Sequence, residues 1–244
     1  MPLRDHFQAP FGDDWPWDGF HSAWANAIAA HLNRGILPKG YYAIPQIKRG
    51  SQIEIDVATL QSAGASSPTT SGTAAVAWTL PRPGLSEVVD FTDLDLFEVQ
   101  ILRRQGGPQL RAAVELVSPA NKDRPSNRHA FAVKCASYLN RGVSVVLIDV
   151  VTERLANMHA AILDVMRLTE VPAWQSPTHL SVVSYHMTLV NGKHNLEAWH
   201  EGLALGAPLP IAPLWLDADL HVPLSLDPTY QAACEALRIP DEGE

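Results

Sequence analysis

One carboxylate constrains this chain more than any other residue. Glu115 sits inside the run Ala112-Ala113-Val114-Glu115-Leu116-Val117, which otherwise reads as a buried strand. Burying an ionised carboxylate without compensation costs several kcal/mol, about the stability of a small domain. A chain that keeps one there therefore supplies a partner: a lysine, a backbone cluster or a divalent cation. Asp56 stands in a comparable place, in the alternating segment Gln52-Ile53-Glu54-Ile55-Asp56-Val57.

The surrounding pattern is mixed α/β. Phe20, Trp24, Ala27, Ile28, His31 and Leu32 recur at helical spacing over 19–33, and Pro38 and Gly40 close the element. Extended segments follow at 41–48 and 52–60. Residues 62–75 turn to Ser, Thr, Gly, Ala and Pro, the composition of a flexible insertion. Over 95–103, Phe97, Val99 and Ile101 alternate with Glu98 and Gln100. Gln105-Gly106-Gly107-Pro108 then makes a hairpin turn into the strand at 111–118. A polar loop at 119–126 leads to a helix at 127–141, stopped by Gly142, and to an apolar strand at 143–150. Strand, helix and strand in this order predict a right-handed parallel crossover within a mixed central sheet flanked by helices. A helix at 152–167 and a strand at 178–190 extend the same domain, giving a unit over 1–204. Residues 205–226 are rich in Pro and Leu with little periodicity, and a short helix at 228–237 follows. The segment 205–244 reads as an arm that packs on the domain or on a partner, a second copy included.

Composition limits the functions open to it. The net charge is −8, which argues against strong nonspecific binding to nucleic acid. No apolar run approaches the roughly 20 residues of a membrane span. The N-terminus has no signal-like stretch, so the expected location is the cytoplasm. The two cysteines, Cys135 and Cys234, fall in expected helices and read as buried thiols. Ten histidines include no His-Glu-x-x-His string, although Glu197 and His200 have helix-like spacing. There is no Gly-x-Ser-x-Gly elbow and no phosphate-cradling glycine loop.

Two resemblances gather these residues. Val114-Glu115-Leu116-Val117-Ser118-Pro119-Ala120-Asn121-Lys122, followed by Lys134, Tyr138, Gly142 and Val145–Asp149, resembles domain of unknown function 4058, an uncharacterised family. Leu209-Pro210-Ile211, Pro213-Leu214 and Leu226-Asp227 extend the likeness to the C-terminal segment. The central stretch is also similar to the Uma-type members of the PD-(D/E)XK, restriction-endonuclease-like superfamily. That resemblance implies a divalent-metal-dependent phosphodiesterase acting on nucleic acid. Asp56 and Glu115 would hold Mg²⁺ or Mn²⁺, and Lys134 would complete the catalytic set from the next helix. Lys122, Asn121 and Tyr138 would be the substrate contacts. The strict motif places its lysine two residues after the glutamate, where this chain has Val117, so the lysine must come from elsewhere. The alternative expectation is a catalytically inactive nuclease-fold protein that serves as a binding or scaffold module. In that reading, Asn121 locks the loop through the backbone, Glu115 forms a buried ion pair with Lys134 or Arg111, and Asp149 caps a following helix.

Overall fold

The computed structural model describes residues 1–48, 96–104, 107–168, 170, 173–190 and 193–240. The expected strand at 52–60, its Asp56, and the insertion at 62–75 lie outside the described residues. The chain opens with a one-turn helix α1 (Phe11–Asp14) and the long helix α2 (Trp17–His31). Phe20, Trp24 and Ile28 recur every four residues, so they line one side of α2, and all three are fully buried. A π-helical turn (Leu32–Ile36) ends the helix where Gly35 takes φ 129°, a conformation costly for a residue with a Cβ.

Six strands then form one mixed sheet in sequence order: β1 (Tyr41–Lys48), β2 (Leu96–Arg104), β3 (Pro108–Leu116), β4 (Ser144–Asp149), β5 (Ser181–Val190) and β6 (Lys193–Gly202). All neighbours are antiparallel except β3 and β4. The parallel pair is joined by α3 (Pro119–Asp123) and α4 (Pro125–Asn140), as a crossover requires. Gly142, at φ 73°, turns the chain out of α4 into β4. The mixed α/β architecture with helices on both faces of the sheet agrees with the sequence expectation.

Strand alternation divides the interior into two cores. Ala112, Val114 and Leu116 of β3 face the same side as Val146, Ile148 and Val182, and pack with α2. Val145, Leu147, Val183 and Tyr185 face the other side, under Phe131, Cys135 and Leu139 of α4 and Met158 and Ile162 of α5 (Met158–Val165). Glu115 shares this second face, because it alternates with Val114 and Leu116.

Several elements differ from the sequence expectation, each for a local reason. The polar loop at 119–126 contains α3, because Ser118 and Asn121 form a reciprocal capping box and Pro119 fits the first turn. Arg124, which precedes Pro125, is extended and separates α3 from α4. Helix α5 is shorter than expected, because the Asn157 side chain caps it at Ala160. Glu197 and His200 lie on strand β6, not on a helix.

The C-terminal segment also carries more regular structure than its composition suggests. Strands β7 (Ile211–Asp217) and β8 (Leu220–Ser225) form a hairpin, and helix α6 (Leu226–Ala236) follows. Leu214, Leu224, Tyr230 and Ala233 enter the first core, against α2. Trp24 donates its indole N–H to Thr229 Oγ1 at 3.0 Å, and His6 Nε2 lies 2.7 Å from the Tyr230 hydroxyl. Arg111 Nε donates to the Leu216 carbonyl at 3.1 Å. These contacts make the segment part of the main core. Truncation after residue 204 would expose Trp24, Phe20 and the first sheet face, each large side chain losing roughly 1.5–3 kcal/mol of burial. The truncated chain is expected to lack a cooperative urea transition, measured by far-ultraviolet circular dichroism.

Candidate functional site

Glu98 on β2 is the direct cross-strand partner of Glu115 on β3. Two like charges in that relation repel one another, all the more when both are buried, and these are 4% and 1% exposed. The crossover that makes β3 and β4 parallel lays α4 over this spot, and Lys134 reaches down from it. Its Nζ lies 2.6 Å from Glu98 Oε2. It is 2.8 Å from Glu115 Oε1 and 2.9 Å from Oε2, aligned as a hydrogen bond only with Oε2. Glu115 Oε1 is therefore buried without an aligned donor.

Tyr138 sits one helical turn after Lys134 on the same face of α4. Its hydroxyl donates to the Glu98 carboxylate, 3.1 and 3.2 Å from the two oxygens. Gln100, two residues along β2, donates its side-chain amide to Glu98 Oε1 at 2.6 Å. Glu98 thus gathers an ammonium, a phenol and an amide, whereas Glu115 shares the ammonium and leans on Glu98 itself.

The pair titrates accordingly. Burial drives Glu115 up to about 8; the charge of Glu98 adds to this and Lys134 opposes it. Burial also works against the charge on Glu98, but the Lys134 ammonium and hydrogen bonds from Glu115, Lys134 and Gln100 prevail and hold it at about 2. Burial disfavours the Lys134 ammonium as well, yet the two carboxylates keep it above the ordinary lysine range. At neutral pH one proton is shared within the carboxylate pair, which leaves the pair a single negative charge, balanced by the one ammonium. An arrangement of this kind can neutralise itself or exchange the shared proton for a cation.

The remaining sequence candidates separate from this cluster. Asn121 accepts from the Ser118 backbone N–H at 2.8 Å and completes the capping box. Lys122, expected as a substrate contact, has a fully buried side chain. Its Nζ donates to Asp149 at 2.9 and 3.1 Å and to the Val151 carbonyl at 3.4 Å. Asp149, considered as a helix cap, instead anchors this pair. Its carboxyl is raised to about 6 by burial, against the pull of Lys122. Asn121 thus fixes the start of α3, and Lys122 ties that helix to the end of β4. Arg111, considered as a partner for Glu115, pairs with Asp217 at 2.7 Å.

Glu98 is the site residue that sequence reasoning missed. Its signal was present: Glu98 and Gln100 alternate with Val99 and Ile101 in a strand, and the hairpin turn brings that strand back against Glu115. Alternation alone does not say that Glu98 stands directly opposite Glu115; that follows from the β2–β3 register.

A second polar group lies on the same sheet face. His159 Nδ1 is 2.7 Å from the Tyr185 hydroxyl, and His159 Nε2 is 3.2 Å from His200 Nε2. Burial lowers His159 to about 4, with His200 adding to the effect. A cavity of about 100 Å³ opens beside it, lined by Asp149, His159, Trp174, His179 and Ser181 among others. Among the described residues, no three His, Cys, Asp or Glu side chains converge as a metal-ligand group.

Two tests follow from the electrostatics. Lys134→Met leaves both carboxylates buried without their cation and is expected to cost about 3–5 kcal/mol in urea denaturation, with Glu98→Gln in the same chain restoring part of it. Glu115 has a folded pKa near 8 against an unfolded value near 4.5, so the folded state holds a proton that the unfolded state releases. Stability therefore falls as pH rises between these values. Glu98 acts in the opposite sense, its contribution being lost as pH falls from about 4.5 toward 2. Glu115→Gln, which keeps the shape of the protonated carboxyl, is expected to flatten the decline between pH 5 and 8.

Comparison with known proteins finds no matching family model, no matching curated protein and no matching solved structure.

Proposed function

We propose that the chain is a divalent-metal-dependent phosphodiesterase of the restriction-endonuclease-like kind, acting on nucleic acid. The single observation that carries this reading is the register of Glu98 against Glu115 under Lys134. The sequence resemblance calls for an aspartate on a preceding strand, a glutamate on the next and a lysine from the following helix, and Glu98 brings a glutamate where the pattern has the aspartate. Glu98 supplies the first role among the described residues, in the place assigned to Asp56.

The donor set suits Mg²⁺ or Mn²⁺. Both cations prefer oxygen ligands, and Glu115 Oε1 is a buried carboxylate oxygen with no aligned donor. Glu98 and Glu115 would hold the ion, which would supply positive charge at a scissile phosphate and a more acidic attacking water. Lys134 would then turn from its carboxylates to the phosphate oxygens, contributing fixed positive charge where negative charge develops. Tyr138, through its bond to Glu98, would keep that carboxylate in one orientation.

A second reading rests on a different observation. Lys134 already touches three carboxylate oxygens and closes the cluster, which is the arrangement of a structural ion pair. In that reading the chain is an inactive nuclease-fold protein that works as a binding or scaffold module.

Calorimetric titration of Mn²⁺ separates the two. The metal-dependent reading expects saturable binding to the wild-type protein, lost in Glu98→Gln and in Glu115→Gln while both variants stay folded. Cleavage of labelled single- or double-stranded DNA or RNA should then require Mn²⁺ or Mg²⁺ and fall by at least about 100-fold in Glu115→Gln. No binding into the millimolar range would leave the scaffold reading standing.

A further inference from the structure

Strand β6 is the last strand of the six-stranded sheet, so one of its backbone edges has no neighbouring strand among the described residues. Edge strands usually carry features that discourage a further strand, such as lysine, proline or a bulge. The register of β5 with β6 runs unbroken from Ser181↔Gly202 to Val190↔Lys193, with neither bulge nor proline in it. The one lysine of β6, Lys193, stands at its first residue, so Asn195–Gly202 has none.

Alternation sets Glu197, Trp199 and Glu201 on one face of β6, about 7 Å apart from one to the next. Trp199 is 38% exposed. Its ring is backed by Trp215, centroids 5.3 Å apart and tilted 30°, and Trp215 is in turn stacked on His186 at 4.4 Å and 9°. The indole is thus held from behind with part of its surface open. Glu197 and Glu201 form no ion pair among the described residues.

An aromatic surface flanked by two carboxylates is suited to an organic cation. A guanidinium can lie on the indole while its N–H groups meet a carboxylate beside it. The open edge adds a second kind of recognition, since an extended peptide there gains main-chain hydrogen bonds and presents alternate side chains to this face. The net charge of −8 favours a basic partner over an acidic one. We infer that the edge of β6 docks an extended, arginine-bearing segment of a partner protein by strand addition, with an arginine stacked on Trp199 between Glu197 and Glu201. This surface is built from other residues than the Glu98–Glu115–Lys134 cluster, so the inference stands or falls apart from the proposed activity.

The probe is a short labelled peptide alternating Arg and Thr, followed by fluorescence anisotropy on the full chain. Two control peptides replace each Arg by citrulline, which keeps the shape without the charge, or insert prolines that break strand pairing. Saturable binding that weakens with salt, and falls about tenfold or more with either control, is the expected result. Trp199→Ala and the double variant Glu197→Gln/Glu201→Gln should each weaken binding by a similar factor, with both variants still folded by circular dichroism at the assay temperature. Absence of saturable binding to the Arg peptide at millimolar concentration overturns the inference. So does equal binding of the proline peptide, or equal affinity for free agmatine, since either removes strand addition. Self-association of the protein that Trp199→Ala abolishes would assign the edge to a second copy, and overturns it as well.

Discussion

Two carboxylates that should repel one another are held side by side by one ammonium, and much of the architecture serves that contact. Glu98 and Glu115 meet because β2 and β3 form a hairpin with this register. Lys134 meets them because the crossover between the parallel strands β3 and β4 must pass over the sheet, carrying α4 with it. The cluster draws on each of these elements at once. Moving β2 by one residue against β3 would turn Glu98 into the opposite core, among Val114, Leu116 and the α2 side chains, where it would have no cation.

A second buried pair closes the other end of the same crossover. Lys122 leaves the short helix after β3 and ties Asp149 at the end of β4. One lysine fastens α4 to β2 and β3, and the other fastens the preceding loop to β4. Both ion pairs carry a desolvation cost, so their contribution is more to the fixed position of the connection than to net stability. A catalytic or binding surface assembled from residues on this crossover would inherit that fixed position.

Much of this was legible in the residues themselves. The carboxylate in an apolar run marked Glu115, and helical spacing paired Lys134 with Tyr138. Gly142 marked the end of α4, because a positive φ there costs little only for glycine. Less legible were features that depend on partners distant in sequence. Glu98 needed the β2–β3 register, and the role of Lys122 needed the position of Asp149, 27 residues away. The hairpin β7–β8 was obscured by its composition. Ala212, Leu214 and Leu216 are buried and alternate with Pro213 and Trp215, but nearly all of these residues are apolar, so the two-residue period does not stand out. Its prolines read as breaks because central strands exclude them, whereas a two-stranded ribbon has outward positions that accept them.

Those prolines have a consequence for how the molecule meets other chains. Pro213 and Pro223 face each other across the ribbon. Neither has an N–H to give, so their nitrogens belong at positions directed away from the partner strand. The Pro213 carbonyl is taken by the Ser184 hydroxyl. Each margin of the ribbon therefore lacks a donor at its midpoint, and on the β7 side the matching acceptor is occupied too. A newcomer strand laid along either margin would find its hydrogen-bond ladder interrupted halfway. The small sheet is in this sense self-terminating, and a chain rich in apolar residues can carry it near the surface without inviting endless growth.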